Sequence, residues 1–400
     1  MAIITIEEPT LPGRRPKGLA GWPVFRLGFR PFYLLAAAFA AASVPLWLLR
    51  YFGLADFATN IDFNWHMHEM VFGFAIAVII GFLFTAGRNW TGLWTPRGAH
   101  LAALAGVWIA GRAAMLCAPP LVAAVVDGIF LPLAAWPLYR VLKRAGNKRN
   151  MFLILLLSLL TIANLLFHGA RLGLLSFETT APMHAAILVI VMIESVIGGR
   201  VIPGFTANAV SGVKPIIEPR RDKICIALTA LACAGWVLRL PAPLLASLAF
   251  AASAAQIVRL AGWKPYRTLH KPLLWILHVS YAWIAFGFLL LGFAAAGKVA
   301  ASAAFHVLAV GSMAGLIIGM ITRTALGHTG RPLNAGKAEL VMYLLVQGGV
   351  AARFAAAIEA FGVRNAALVI AATCWSAAFV LYVAIYGPYL LKARVDGREG

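Results

Sequence analysis

Apolar runs about twenty residues long, separated by short polar or basic loops, pattern nearly the whole chain. They fall at roughly 32–52, 66–86, 98–117, 119–140, 151–172, 182–203, 223–239, 241–261, 272–294, 300–322, 338–358 and 365–391. Each is close to the length an α-helix needs to cross a hydrocarbon core about 30 Å thick, at about 1.5 Å per residue. The strict apolar–polar alternation of a membrane β-barrel is not present. The pattern predicts an all-α polytopic membrane protein with about twelve transmembrane helices. Proline breaks at Pro119-Pro120 and Leu240-Pro241 separate neighbouring spans.

Composition agrees. The chain is 62% hydrophobic and 12% charged, where a soluble protein carries roughly 25% charged residues. Lys and Arg number 34 against 14 Asp and Glu, a formal net charge of +20. In a soluble chain this would point to nucleic acid; in a membrane chain it is the excess of basic loops held on the cytoplasmic side. The basic residues crowd the N-terminal tail and every second loop, as at Arg140, Lys143, Arg144, Lys148 and Arg149. Alternate loops hold few. Both termini are therefore expected in the cytoplasm. The organisation is a basic tail over 1–31, a membrane domain over 32–391 and a short tail over 392–400. With no apolar stretch before about Phe32, no cleavable signal peptide is expected. The four cysteines (Cys117, Cys225, Cys233 and Cys374) form no C-x-x-C, so neither a zinc knuckle nor covalently attached haem is indicated.

A longer period overlies the spans. Spans two, six and ten open with histidine (His66 and His68; His184; His306) and close on Arg88, Arg200 and Arg323. The span after each carries an arginine deep in apolar sequence: Arg112, Arg239 and Arg353. This recurrence predicts three pseudo-repeats of four helices, about 32–150, 151–271 and 272–391.

Ionisable residues inside a membrane are costly and usually functional. The predicted topology brings His66, His68, His168, His184 and His306 to one level near the outer surface, with Arg112, Arg239 and Arg353 at similar depth. His278 falls near the opposite side. Neutral imidazole ligates copper and haem iron, and arginine pairs with haem propionates. The set therefore suits a non-covalent b-type haem held by these histidines and arginines. Spare histidine with Met67, Met70 or Met183 suits copper. His66 and His68 lie two residues apart, so on a regular helix they face opposite ways. Either one alone is a ligand, the turn is irregular, or the two serve different centres. Glu194, in the middle of span six, is a further costly group: a proton relay or a partner for a neighbouring helix.

Several motifs resemble a known family. Arg-Leu-Gly-Phe-Arg-Pro-Phe-Tyr (26–33), Trp-His-Met-His-Glu-Met (65–70), Gly-Phe-Leu-Phe-Thr-Ala (81–86), Gly-Gly-Arg-Val-Ile-Pro-Gly-Phe-Thr (198–206) and Leu-His-Val-Ser-Tyr-Ala-Trp (277–283) are similar to those of NnrS proteins. The resemblance implies a bacterial inner-membrane protein associated with haem, copper and the response to nitric oxide. The expectation is a protein that binds or counters nitric oxide or a similar small ligand, with an unidentified electron donor and no nucleic-acid partner. The alternatives are a transporter of copper or another small solute, and a haem sensor or scaffold without turnover. The twelve helices in three arcs also resemble haem–copper oxidases. The H-x-x-x-H-Y and His-His ligand patterns of those enzymes are lacking.

Overall fold

The computed structural model describes residues 18–55 and 60–398, and every regular element among them is helical. Twelve long helices follow one another. They are α1 (Phe29–Tyr51), α2 (Phe63–Thr91), α3 (Ala99–Cys117), α4 (Pro120–Arg144), α5 (Lys148–Arg171), α6 (Thr180–Ala209), α7 (Pro219–Val237), α8 (Ala242–Gly262), α9 (Pro272–Ala295), α10 (Ala301–His328), α11 (Lys337–Ala357) and α12 (Arg364–Leu391). Helix is what lipid demands, because it satisfies every backbone N–H and C=O within the segment. Large apolar side chains such as Leu121, Leu155, Leu165 and Val380 stay exposed on the outside, where acyl chains would lie.

Eleven of the twelve are long and apolar enough to cross a membrane. The exception is α7, which forms where a span is expected. Its first turn is polar (Arg220, Arg221, Asp222, Lys223) and is capped by Glu218, whose carboxylate accepts from the Arg220 and Arg221 amides at 2.9 and 2.8 Å. The apolar stretch from Ile224 to Val237 then covers only about 21 Å.

Helices α2 and α10 are the most enclosed, with 78% of their apolar windows buried against 33% in α11. Both change pitch at matching places. A π-helical stretch runs over Glu69–Ala75 directly after His68, and another over Val307–Ala314 directly after His306. Such widened turns recur at functional sites. Helix α6, which carries His184, stays α-helical across all 30 residues.

Of the N-terminal segment, residues 1–17 lie outside the described part, and two 3₁₀ turns (Gly18–Gly21 and Pro23–Phe25) precede α1. The 26–33 motif ties the ring of helices shut. Arg30 donates to the Leu390 and Lys392 carbonyls, both at 2.8 Å, joining the first helix to the end of the last. The Phe29 amide donates to Thr85 Oγ1 at 3.1 Å. A Cβ on Gly81 would lie 2.9 Å from Phe32 and 3.2 Å from the Gly28 carbonyl, so glycine there lets α1 and α2 touch through their backbones.

Candidate metal centre

Near the start of α2 a polar cluster is sealed among four helices. Asp62 caps α2 by accepting from the Trp65 amide at 2.7 Å. One turn further on, His68 and Glu69 project inward, both with no exposed surface. His68 Nδ1 faces Glu69 Oε1 at 2.9 Å. Its Nε2 faces Asn164 Oδ1 at 2.9 Å and Asp127 Oδ2 at 3.1 Å. From α3, Arg112 donates to Glu69 Oε2 at 2.8 Å and to Asp127 Oδ1. From α5, Asn164 Nδ2 donates to Asp127 Oδ2 at 2.8 Å, and His168 Nε2 meets the same oxygen at 3.0 Å.

Local sequence explains how so many polar groups fit. A Cβ on Gly73 would lie 2.7 Å from Glu69 Oε2 and 2.8 Å from an Arg112 nitrogen, so the ion pair rests on bare helix backbone. Gly111, beside Arg112, lets α3 approach the backbone of α4 at Asp127. Buried charges persist only when paired and hydrogen-bonded, and here Arg112 pairs with both carboxylates. Both His68 nitrogens face oxygens that accept.

Three atoms within this cluster converge as a metal would require. One donor atom each from His68, Asp127 and His168 lie within 4.8 Å of one another, all three residues being buried. Two imidazoles and a carboxylate are a common donor set for first-row metals. A narrow opening of about 10 Å³, room for about one water, reaches His168 past Asn60, Met115 and Arg171.

His66 turns the other way. Its ring stacks on Trp47 of α1 at 4.0 Å, so the two histidines of the motif serve different places. His306 lies within electrostatic range of His66, His184 and Arg353. His306 Nδ1 donates to the Ser302 carbonyl at 2.7 Å, which leaves Nε2 to accept from Arg353 at 2.9 Å. His184 stacks on Phe305 at 3.7 Å. Imidazoles from α2, α6 and α10 thus gather at one end of the bundle, each covered by an aromatic ring or a guanidinium. Arg112 and Arg353 play matching parts, each reaching from the next helix to the residues where a π-helical stretch begins.

Arg239 departs from the expected pattern. It is exposed, in a left-handed turn with φ of 52° just after α7 ends at Val237, and contributes to neither cluster. Counting depth from loop boundaries placed it inside the helix; the Leu238-Arg239-Leu240-Pro241 turn puts it outside. His278 is buried on the far side, its Nε2 donating to Thr206 Oγ1 at 2.9 Å. Met67 and Met70 are half-buried and pack against the apolar core. Glu194 lines a central cavity and accepts from Ser312 at 2.9 Å. Asp127 is the residue that reading of the sequence missed. The signal was present: a lone acid inside an apolar run, the criterion that singled out Glu194.

The cavity that Glu194 lines has a volume of about 90 Å³, whereas pockets enclosing larger ligands run to about 300–1,000 Å³. That cavity does not fit haem.

A search of curated proteins returned no match. A family model described as NnrS protein matches residues 23–394. That span takes in α1 through α12, both histidine clusters and the 26–33 closure, and the chain belongs to the NnrS family.

Proposed function

We propose that the protein is a copper-binding protein of the bacterial inner membrane that counters nitric oxide, with the metal held by His68, His168 and Asp127. Family membership supports the nitric oxide context. The observation that carries the metal assignment is the convergence of those three buried donors from α2, α4 and α5. Bound copper would supply a one-electron centre able to meet a small radical ligand. The chain's own groups hold the site ready. Glu69 fixes the His68 ring, Arg112 aligns both carboxylates, and Asn164 bridges His68 to Asp127. The small opening beside His168 offers a small molecule a way to the site. In this reading the outer histidine layer faces the periplasm and both termini the cytoplasm, as the loop charges require.

Metal analysis with electron paramagnetic resonance on the purified protein tests the assignment. Wild type should carry stoichiometric copper, His68→Ala and His168→Ala should lose at least tenfold in affinity, and His306→Ala should retain it. Copper kept by both of the first two variants, or lost only in His306→Ala, contradicts the assignment. Copper flux into proteoliposomes without a bound, spectroscopically visible centre would favour transport instead.

A further inference from the structure

Between α2, α6 and α10 lies a cavity of about 90 Å³ walled almost wholly by apolar side chains. Phe82, Ile193, Ile197, Leu316 and Ile317 form much of it, and Glu194 brings in its one carboxyl. Ser312 donates to Glu194 Oε2 at 2.9 Å; the other oxygen has no hydrogen-bond partner among the described residues. A buried water needs two to four polar partners, and an apolar cavity of about 150 Å³ stays dry and takes up benzene or xenon. This cavity is smaller and nearly as apolar. Ile79, Val201 and Met320 at its edge are only partly buried, which opens it at membrane depth, where apolar solutes concentrate.

We infer that this cavity is a binding site for one small uncharged apolar molecule, up to about the size of xenon, that enters from the lipid and can turn a polar end toward Glu194. The inference stands on the cavity alone and does not rest on the metal assignment.

Crystals of the full chain, pressurised with xenon and measured at a wavelength giving anomalous signal, test it. Wild type should show a peak between Ile193, Ile197 and Ile317. Ile317→Phe should cut its occupancy at least fivefold, and Glu194→Gln, which keeps the volume, should leave it unchanged. Should Ile317→Phe fail to fold, Ile197→Phe serves the same purpose, and the wild-type map decides without either. No xenon peak there, undiminished binding in the filled variant, or a lipid acyl chain occupying the cavity overturns the inference.

Discussion

Replacing Asp127 with Asn changes few atoms but removes the group on which the buried cluster converges. Asp127 Oδ1 receives Arg112, and Oδ2 receives Asn164, His168 and His68 at 2.8, 3.0 and 3.1 Å. Asn keeps one accepting oxygen and turns the other into an NH₂ donor. Whichever way the amide sits, its donor faces donors: either the Arg112 guanidinium or the Asn164 amide and two imidazoles. Arg112 is left with Glu69 as its remaining charged partner. Removing one member of a buried ion pair costs about 3–5 kcal/mol, or about two to four decades in the unfolding equilibrium at about 1.4 kcal/mol per decade. Reversible unfolding in mixed micelles, titrated with a denaturing detergent, measures this directly. Arg112→Met should be similarly damaging. The double variant should lose about 1–3 kcal/mol less than the sum of the two, because the groups share one network. A loss below about 1 kcal/mol for Asp127→Asn, the value of an exposed pair, would refute the view that this cluster is a buried, ion-paired unit.

Gly73→Val should disrupt the same cluster from the backbone side, since its side chain would occupy the place of Glu69 Oε2 and Arg112. Expected results are a loss of about 1–3 kcal/mol from overpacking and weakened metal binding; wild-type affinity would contradict this. Cys117 is exposed at the end of α3, beside the α1–α2 loop, where Asn60 donates to the Leu116 and Ala118 carbonyls. A membrane-impermeant maleimide should therefore label it from the periplasmic side of intact spheroplasts, and labelling only after lysis would invert the proposed orientation. At the C-terminus, Arg394 donates to Asp396 and to the His328 carbonyl at 3.0 Å, strapping the tail to the end of α10. The hydrogen bonds from Arg394 hold the Asp396 carboxyl below its usual range. The strap is thus fully formed above pH about 4 and is lost as pH falls further. Hydrogen exchange of residues 393–398 should rise at pH 2.5 over the rate expected from intrinsic chemistry, and should be insensitive to pH in Asp396→Asn.

The spans were legible because lipid imposes one rule on every residue of a crossing helix, and that rule is written as apolar length. Loop charge then ordered them. The chemistry was legible only in part. His68, His168 and Arg112 stood out because each is expensive in an apolar run, and the structure brings them together. Their meeting point, Asp127, lies four helices' worth of packing away from anything sequence spacing reveals, since α3, α4 and α5 must first dock on α2. The opposed directions of His66 and His68 followed from helix geometry; the π-helical stretch at Glu69 did not, because no residue type marks it. Arg239 was misplaced by two residues of helix end, enough to move a side chain from core to surface. The 26–33 motif, which carries the family resemblance, joins the first helix to the last through Arg30, a long-range contact that spacing along the chain does not reveal.

The central claim is that His68, His168 and Asp127 form one metal site. X-ray absorption at the copper edge on the purified protein, compared with His168→Ala, tests it most directly. The account predicts two imidazole ligands at about 2.0–2.1 Å, the usual nitrogen distance for such ions, with one oxygen neighbour and one imidazole lost in the variant. A sulfur-dominated shell, or a spectrum that His168→Ala leaves unchanged, would contradict it.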